Sequence, residues 1–209
     1  MRFREFGASL AGRGLAFSNM NGSINLKNDL TADSLSFTFR EQRFTLNAVM
    51  KNFIQWMSGG PEVLEIRGDI HADRLVTSTF TSGKKDTLAT DGKPVELFPA
   101  DVSVNVRLRA DSLIFNNFRA ANFSTRLSYK PFVISFEEAG ADGLDGQLTG
   151  QLMLGRQKEG GYIARARLDA TEIDINKAFT AFNNFGQNFI VSDNLQGKLT
   201  GTVTLLAPL

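Results

Sequence analysis

DVSVNVRLRA, residues 101–110, alternates Val102, Val104, Val106, Leu108 and Ala110 with Asp101, Ser103, Asn105, Arg107 and Arg109. Successive side chains of a strand point to opposite faces, so this is a strand with one apolar face and one wet face. The stretch it opens closes with LDGQLTGQLML, residues 144–154, where Leu144, Gly146, Leu148, Gly150, Leu152 and Leu154 take alternate positions. Between them RAANFSTRLSYK and PFVISFEE form a hairpin pair around Lys130-Pro131, with Phe132 and Ile134 on the returning arm. The reading is a long antiparallel meander that presents one apolar surface.

The same pattern extends in both directions. SLSFTF places Leu35, Phe37 and Phe39 on one face, Arg40-Glu41-Gln42-Arg43 turns the chain, and Phe44, Leu46, Ala48 and Met50 return. EVLEIRGDIHA then puts Leu64, Ile66, Gly68, Ile70 and Ala72 inward. Residues 1–18 are weakly patterned, with Gly7, Gly12 and Gly14 punctuating two short strand candidates, and Asn21-Gly22 reads as a turn before a short strand. NFIQWMSGG, residues 52–60, loses the alternation and reads as a short helical turn or loop, with Trp56 packed in the core. Downstream, YIARARLDA (162–170) alternates again. In DINKAFTAFNNFG the period changes: Ile175, Ala178, Phe179 and Phe182 recur at helical spacing, Asp174 can cap the start and Gly186 the end. NLQGKLTGTVTLL returns to strand, with Leu199 and Val203 on one face.

Residues 81–99 are polar, aperiodic and rich in Gly and Pro, which makes them a surface loop or linker. The chain thus divides into a first β section over 1–80, a polar connector over 81–100 and a second β section over 101–209 with a helix near 175–185. Two repeats run through it. Leu144-Asp-Gly-Gln-Leu-Thr-Gly150 matches Leu195-Gln-Gly-Lys-Leu-Thr-Gly201, which makes Gly146, Gly150, Gly197 and Gly201 equivalent structural positions. Ala32-Asp33-Ser34-Leu35 matches Ala110-Asp111-Ser112-Leu113, with a looser copy at Ala72-Asp73-Arg74-Leu75. At each Ala-Asp step the apolar phase moves by one residue, so a bulge or tight turn is expected there.

Composition narrows the function. The 209 residues are 42% apolar, enough for a sizeable core, and the net charge of +1 comes from basic residues scattered along strands. That gives no electrostatic footprint for nucleic acid. Eighteen Phe against two Tyr and one Trp suits a dry interior or a lipid-facing wall, because Phe brings apolar area without a polar handle. Without cysteine there is neither a disulfide framework nor a thiolate metal site. No apolar run approaches the roughly 18–20 residues of a membrane span, and no signal-peptide core follows Met1. Strand-like sequence at TVTLLAPL suggests a piece of a longer protein.

Candidate chemistry is sparse. Asp69, His71 and Asp73 share a strand face and could bind a metal, but Glu65 and Arg67 continue the same row as a solvated outer face. Asp142-Gly-Leu-Asp145-Gly lacks the spacing of a calcium loop and reads as a turn. Glu137 and Glu138 diverge on a strand and cannot converge on one substrate atom. No catalytic residue, metal site or cofactor is expected. A single short helix cannot cover such a sheet. It either closes on itself as a β-sandwich or curls into a groove that leaves its apolar surface to a ligand. Lipid acyl chains are one suitable guest, since each methylene costs about 0.8 kcal/mol in water.

The residues also carry a resemblance. VRLRADSLIFNNFRAANFSTRLSYKPFVISFEEAGADGLDGQLTGQLML and LDATEIDINKAFTAFNNFGQNFIVSDNLQGKLTGTVTLL resemble the AsmA-like C-terminal region. The features are the Ala110-Asp111-Ser112-Leu113 step, the strand at Asp145-Gly146-Gln147-Leu148-Thr149-Gly150, Asp174-Ile175 opening the helix, and Leu195-Gln196-Gly197-Lys198-Leu199-Thr200-Gly201. The resemblance covers about 105–205, and 20–80 more loosely; TamB-like members share these motifs. It implies a taco-like β-groove in a non-enzymatic bacterial envelope protein of the periplasm. The full-length protein would be anchored to the inner membrane by a segment missing here and would act in outer-membrane assembly or homeostasis. Phospholipid would be its partner, with other envelope proteins as further ones. The groove contacts would be Val102, Val104, Val106, Leu108, Phe132, Ile134, Leu144, Leu148, Leu152, Leu199 and Val203. The alternative is a module that scaffolds outer-membrane protein assembly.

Overall fold

The computed structural model describes residues 2–10, 15–27, 29–81, 100–156 and 161–208. Alternating sequence becomes a single sheet of eleven strands laid side by side in chain order. They are β1 (Arg2–Leu10), β2 (Leu15–Leu26), β3 (Leu30–Phe39), β4 (Gln42–Lys51), β5 (Leu64–Val76), β6 (Val102–Phe115), β7 (Phe118–Lys130), β8 (Val133–Gly143), β9 (Gly146–Arg156), β10 (Tyr162–Asp174) and β11 (Lys198–Pro208). The sheet curls but stays open, and among the described residues β1 and β11 do not pair. The mostly-β, open-meander expectation therefore holds, and a closed sandwich does not form.

Among the described residues three short α-helices interrupt the strands. α1 (Phe53–Met57) sits in the β4–β5 connection and buries Trp56 beside Phe53, as the broken alternation there predicts. α2 (Ser78–Thr81) follows β5. α3 (Ile175–Ala181) joins β10 to the segment before β11, and the Asp174 side chain accepts the Lys177 amide at 3.0 Å as its cap.

One pairing departs from the antiparallel expectation. β5 and β6 run parallel, from Leu64 beside Val102 to Val76 beside Ile114. A parallel neighbour requires a long crossover. The polar connector expected over 81–100 is the sequence available for it, and residues 82–99 lie outside the described residues, as do Gly12 and Gly14. The two β sections thus join into one sheet through this pair. A second departure is at Asn21-Gly22, which lies inside β2 and makes no turn. A Cβ at Gly22 would come within 2.7 Å of the Leu35 Cα, so this position lets β3 approach closely.

Register fixes which residues share a face. Phe37, Phe44, Ala72, Ala110 and Phe123 align across β3 to β7. The two alanines in the middle are buried, and the rings on either side close over them. A row that is small at its centre and large at its flanks favours a sheet bent toward that face. A second cluster lies over β3 and β4, with Leu30, Ala32, Leu35, Leu46 and Ala48 buried.

The strands carry bulges. Ser34 adopts a left-handed conformation in β3, and the register slips between Ala32 and Leu35, as the Ala-Asp step predicts. At Ala110-Asp111 the expected slip is not found: β6 keeps one register with both β5 and β7. The Ala72 and Ala110 copies of the step lie side by side in the parallel pair, so whatever phase change they make is made together. The irregularity surfaces one strand later, at left-handed Asn122 of β7, where the register against β8 slips.

Candidate functional site

The apolar face runs across the whole sheet, but its exposure changes along it. Through the register, Val106 lies beside Leu127, Leu127 beside Phe136, Phe136 beside Leu152, Leu152 beside Ala166 and Ala166 beside Leu205. At one end of this row Val106 is 1% exposed; at the other Leu205 is 50% exposed. Leu152, Leu168 and Val203 are also open to solvent, Val203 at 58%. An apolar surface left open over several adjacent strands marks a binding face. A depression of about 600 Å³ lies over β8 to β11 on the opposite face, where Met153 and Leu206 line it beside Arg165 and Arg167.

The predicted contact residues divide accordingly. Val102, Val104, Ile134 and Leu148 lie half-buried on the apolar face, while Val106 and Leu108 are buried within the sheet's own packing. Leu152, Leu199 and Val203 stand exposed. Phe132 and Leu144 belong to turns. Phe132 precedes β8 in a left-handed conformation with the Arg156 guanidinium 5.2 Å from its ring centre. Leu144 packs with Leu148 against the buried trio of Ala170, Ile173 and Ala178 under α3. The sequence reading did not select Leu168 or Leu205, although YIARARLDA and TVTLL carry the alternation that would have found them.

The two copies of the seven-residue repeat flank β10. Leu148 and Gly201 both lie beside Ala170, from β9 and β11 respectively. Their glycines differ in role. A Cβ on Gly146 would meet the Thr171 carbonyl oxygen at 2.4 Å, and one on Gly150 the Arg167 carbonyl oxygen at 2.2 Å. At Gly197 and Gly201 nothing lies within 4 Å.

The opposite face carries the charges. Arg109 reaches Asp69 at 3.4 Å, and Arg126 reaches Glu138 at 3.2 Å. His71 does not group with Asp69. Its Nε2 lies 2.8 Å from Asp111 and its Nδ1 3.9 Å from Asp73, and donor atoms of the three lie within 4.8 Å of one another. Asp73 and Asp111 oppose each other across the β5–β6 pair, between Ala72–Ala110 and Arg74–Ser112. Like charges so placed repel. Arg43, 4.0 Å from Asp73, and His71 when protonated offset that repulsion. All three groups of the cluster remain solvent-accessible.

At one end of the sheet α3 and the segment to β11 pack against the strand turns. The Asp174 amide donates to the Leu144 carbonyl at 2.7 Å, and the Ile175 amide to the Gly197 carbonyl at 3.1 Å. Lys177 pairs with Asp145 of the β8–β9 turn. That hydrogen bond holds its amine above the usual lysine range, with the nearby charges of Asp145 and Asp174 acting in the same direction. Phe182 stacks on Phe118 at the start of β7, with ring centres 5.6 Å apart.

These features define an open, curled β-meander with an apolar face closed over β3 to β7 and open over β9 to β11. Among the described residues, no helix is long and apolar enough to cross a membrane. In comparisons with known proteins, the chain matches no family model, no curated protein and no solved structure.

Proposed function

We propose that the open apolar face over β9 to β11 receives phospholipid acyl chains. On this reading the chain is a non-enzymatic segment of a bacterial envelope protein, holding or conducting lipid between inner and outer membranes in outer-membrane assembly and homeostasis. It works in the periplasm, and a part of the protein outside these residues supplies the inner-membrane anchor. The observation that carries the reading is the exposure of Leu152, Leu168, Val203 and Leu205 on four strand positions of one face. Each methylene moved from water onto such a surface gains about 0.8 kcal/mol, so a surface of this kind retains an acyl chain without any covalent step. The resemblance of residues 105–205 to the AsmA-like region supports the envelope setting.

The test is lipid co-purification. The purified chain is extracted with organic solvent and its phospholipid counted by mass spectrometry. Val203→Asp and Leu152→Asp lie on exposed positions, so the fold tolerates them, and bound phospholipid is expected to drop several-fold. Wild-type protein that carries no phospholipid, or Asp variants that keep theirs, would overturn the reading.

A second reading is a structural module that scaffolds outer-membrane protein assembly. The closed part favours it, because Leu35, Leu46, Ala72 and Val106 on β3 to β6 are buried within the sheet's own packing. It predicts lipid-free protein that captures an envelope partner through its sheet edge or turns.

A further inference from the structure

The segment between α3 and β11 has no part in the strand face just described, yet it carries the most exposed large apolar residue among those described, Phe189. Phe189 is 84% exposed and Phe185 60%, with Ile190 beside them. We propose that residues 182–191 form a docking tip that inserts shallowly into the surface of a lipid bilayer. The proposal rests on the lipid-handling reading, for which it supplies the point of contact with a membrane.

Three observations converge on lipid. First, residues 178–192, AFTAFNNFGQNFIVS, contain no charged side chain. Moving a charge into an apolar medium costs far more than a few apolar contacts return. An uncharged, Phe-rich run avoids that cost.

Second, the tip satisfies several of its own backbone groups. The Gln187 Oε1 accepts the amides of Phe189 at 2.9 Å and Ile190 at 2.8 Å, and its Nε2 donates to the Ile190 carbonyl. The Asn184 Oδ1 accepts the Ser192 amide at 3.0 Å, and the Asn184 carbonyl accepts the Gln187 amide at 3.2 Å. Hydrocarbon offers no hydrogen bonds, so a segment entering it must bring its partners along. A protein partner can supply hydrogen bonds of its own, which hydrocarbon cannot. The exposed amides of Asn183 and Asn188 set the depth, because they remain at the level of the headgroups.

Third, the tip is held in place. Phe185 meets Phe179 edge-on at 5.0 Å and stacks on Phe182 at 5.5 Å, and Phe182 rests on Phe118. Phe185 is thereby ordered from beneath while Phe189 and Ile190 project. The tip also grows from the strand pair β10–β11 that carries Leu168, Val203 and Leu205, so a bilayer seated on it lies at the end of the open face.

The tip carries no basic cluster, so the contact is apolar and insensitive to salt. The experiment is flotation of the whole chain with phosphatidylcholine vesicles, with and without added phosphatidylglycerol, at low and high salt. Wild type is expected to float with both vesicle types at both salt concentrations. The double variant F189S/I190S is expected to partition at least about tenfold more weakly, since each lost side chain removes a full apolar burial. Trp at position 189 in F189W is expected to shift its emission to the blue on vesicle addition, while buried Trp56 does not move.

V203D keeps its tip and is expected to float as wild type does, although it loses co-purified phospholipid. Thus failure of the tip is read by flotation and failure of the strand-face reading by lipid content. Undiminished flotation of F189S/I190S, dependence on the anionic lipid, loss of flotation at high salt, or no flotation of wild type would each overturn the proposal. If F189S/I190S does not fold, F189W decides: unshifted emission with vesicles present overturns it as well.

Discussion

Gly150 and Gly201 occupy the same place in the repeated heptad, and the sequence treats them alike. The structure does not. A methyl group at Gly150 would overlap the Arg167 carbonyl oxygen of β10, while at Gly201 it would meet nothing within 4 Å. Gly150→Ala must therefore push β10 away or twist β9, and overpacking of this kind costs about 1–3 kcal/mol. Gly201→Ala is expected to change stability by less than about 0.5 kcal/mol, as an exposed substitution away from contacts does. Urea denaturation of the two variants measures the difference directly, and equal losses at both positions would contradict the close β9–β10 approach. The repeat was legible because its residues match. Which copy is sterically constrained was not, because that depends on the strand lying beside it.

Bulges show the same limit at the level of the strand. The Ala32-Asp33-Ser34-Leu35 step announces a slip, because Ala32 and Leu35 cannot share a face without one, and β3 bulges there. The cross-strand partner that stabilises it was not announced. Asn47 of β4 accepts the Ser34 amide at 2.7 Å, just as Asn21 accepts the amide of left-handed Glu5 at 3.1 Å and Thr200 that of left-handed Glu172 at 3.0 Å. In each case a side-chain oxygen takes the place of a ladder carbonyl that the bulge has moved out of reach. Asn47→Ala is expected to lower stability by about 1–2 kcal/mol, the cost of leaving that amide without its acceptor. Asn47→Asp keeps an acceptor and is expected to retain most of it. Urea midpoints compare the two, and an Asn47→Ala variant as stable as wild type would sink the hydrogen-bond account. The matching step at Ala110 gives no slip against β5, because the looser copy at Ala72 lies beside it in the parallel pair. Sequence shows a phase change along one strand. Register records only the difference between two.

Across the whole molecule, alternation specified one apolar face over most of the strands, and the structure delivers a single sheet of eleven among the described residues. What alternation could not specify is where that face closes. Closure follows from side-chain size along rows perpendicular to the chain, such as Phe37–Phe44–Ala72–Ala110–Phe123, whose members are far apart in sequence. Toward β11 the corresponding rows end without a flanking ring, and Val203 and Leu205 stay open. The same openness leaves a strand edge. β11 is eleven residues long, apolar at Leu199, Val203, Leu205 and Leu206, and among the described residues it pairs only with β10. A long apolar edge whose amides and carbonyls face outward is a template for another strand. Lysine is the usual device that blunts one, and β11 carries its only lysine at its first residue, Lys198. The isolated chain is therefore expected to associate with rising concentration, which sedimentation velocity at several loadings would show. Thr204→Lys sets a charge on the exposed middle of the edge without touching the apolar rows, and is expected to shift the distribution toward monomer while leaving the thermal midpoint near that of wild type. F189S/I190S alters the tip and not the edge, so it is expected to associate as wild type does. If it abolishes association while Thr204→Lys does not, self-association runs through the aromatic tip, and the edge of β11 is not the contact.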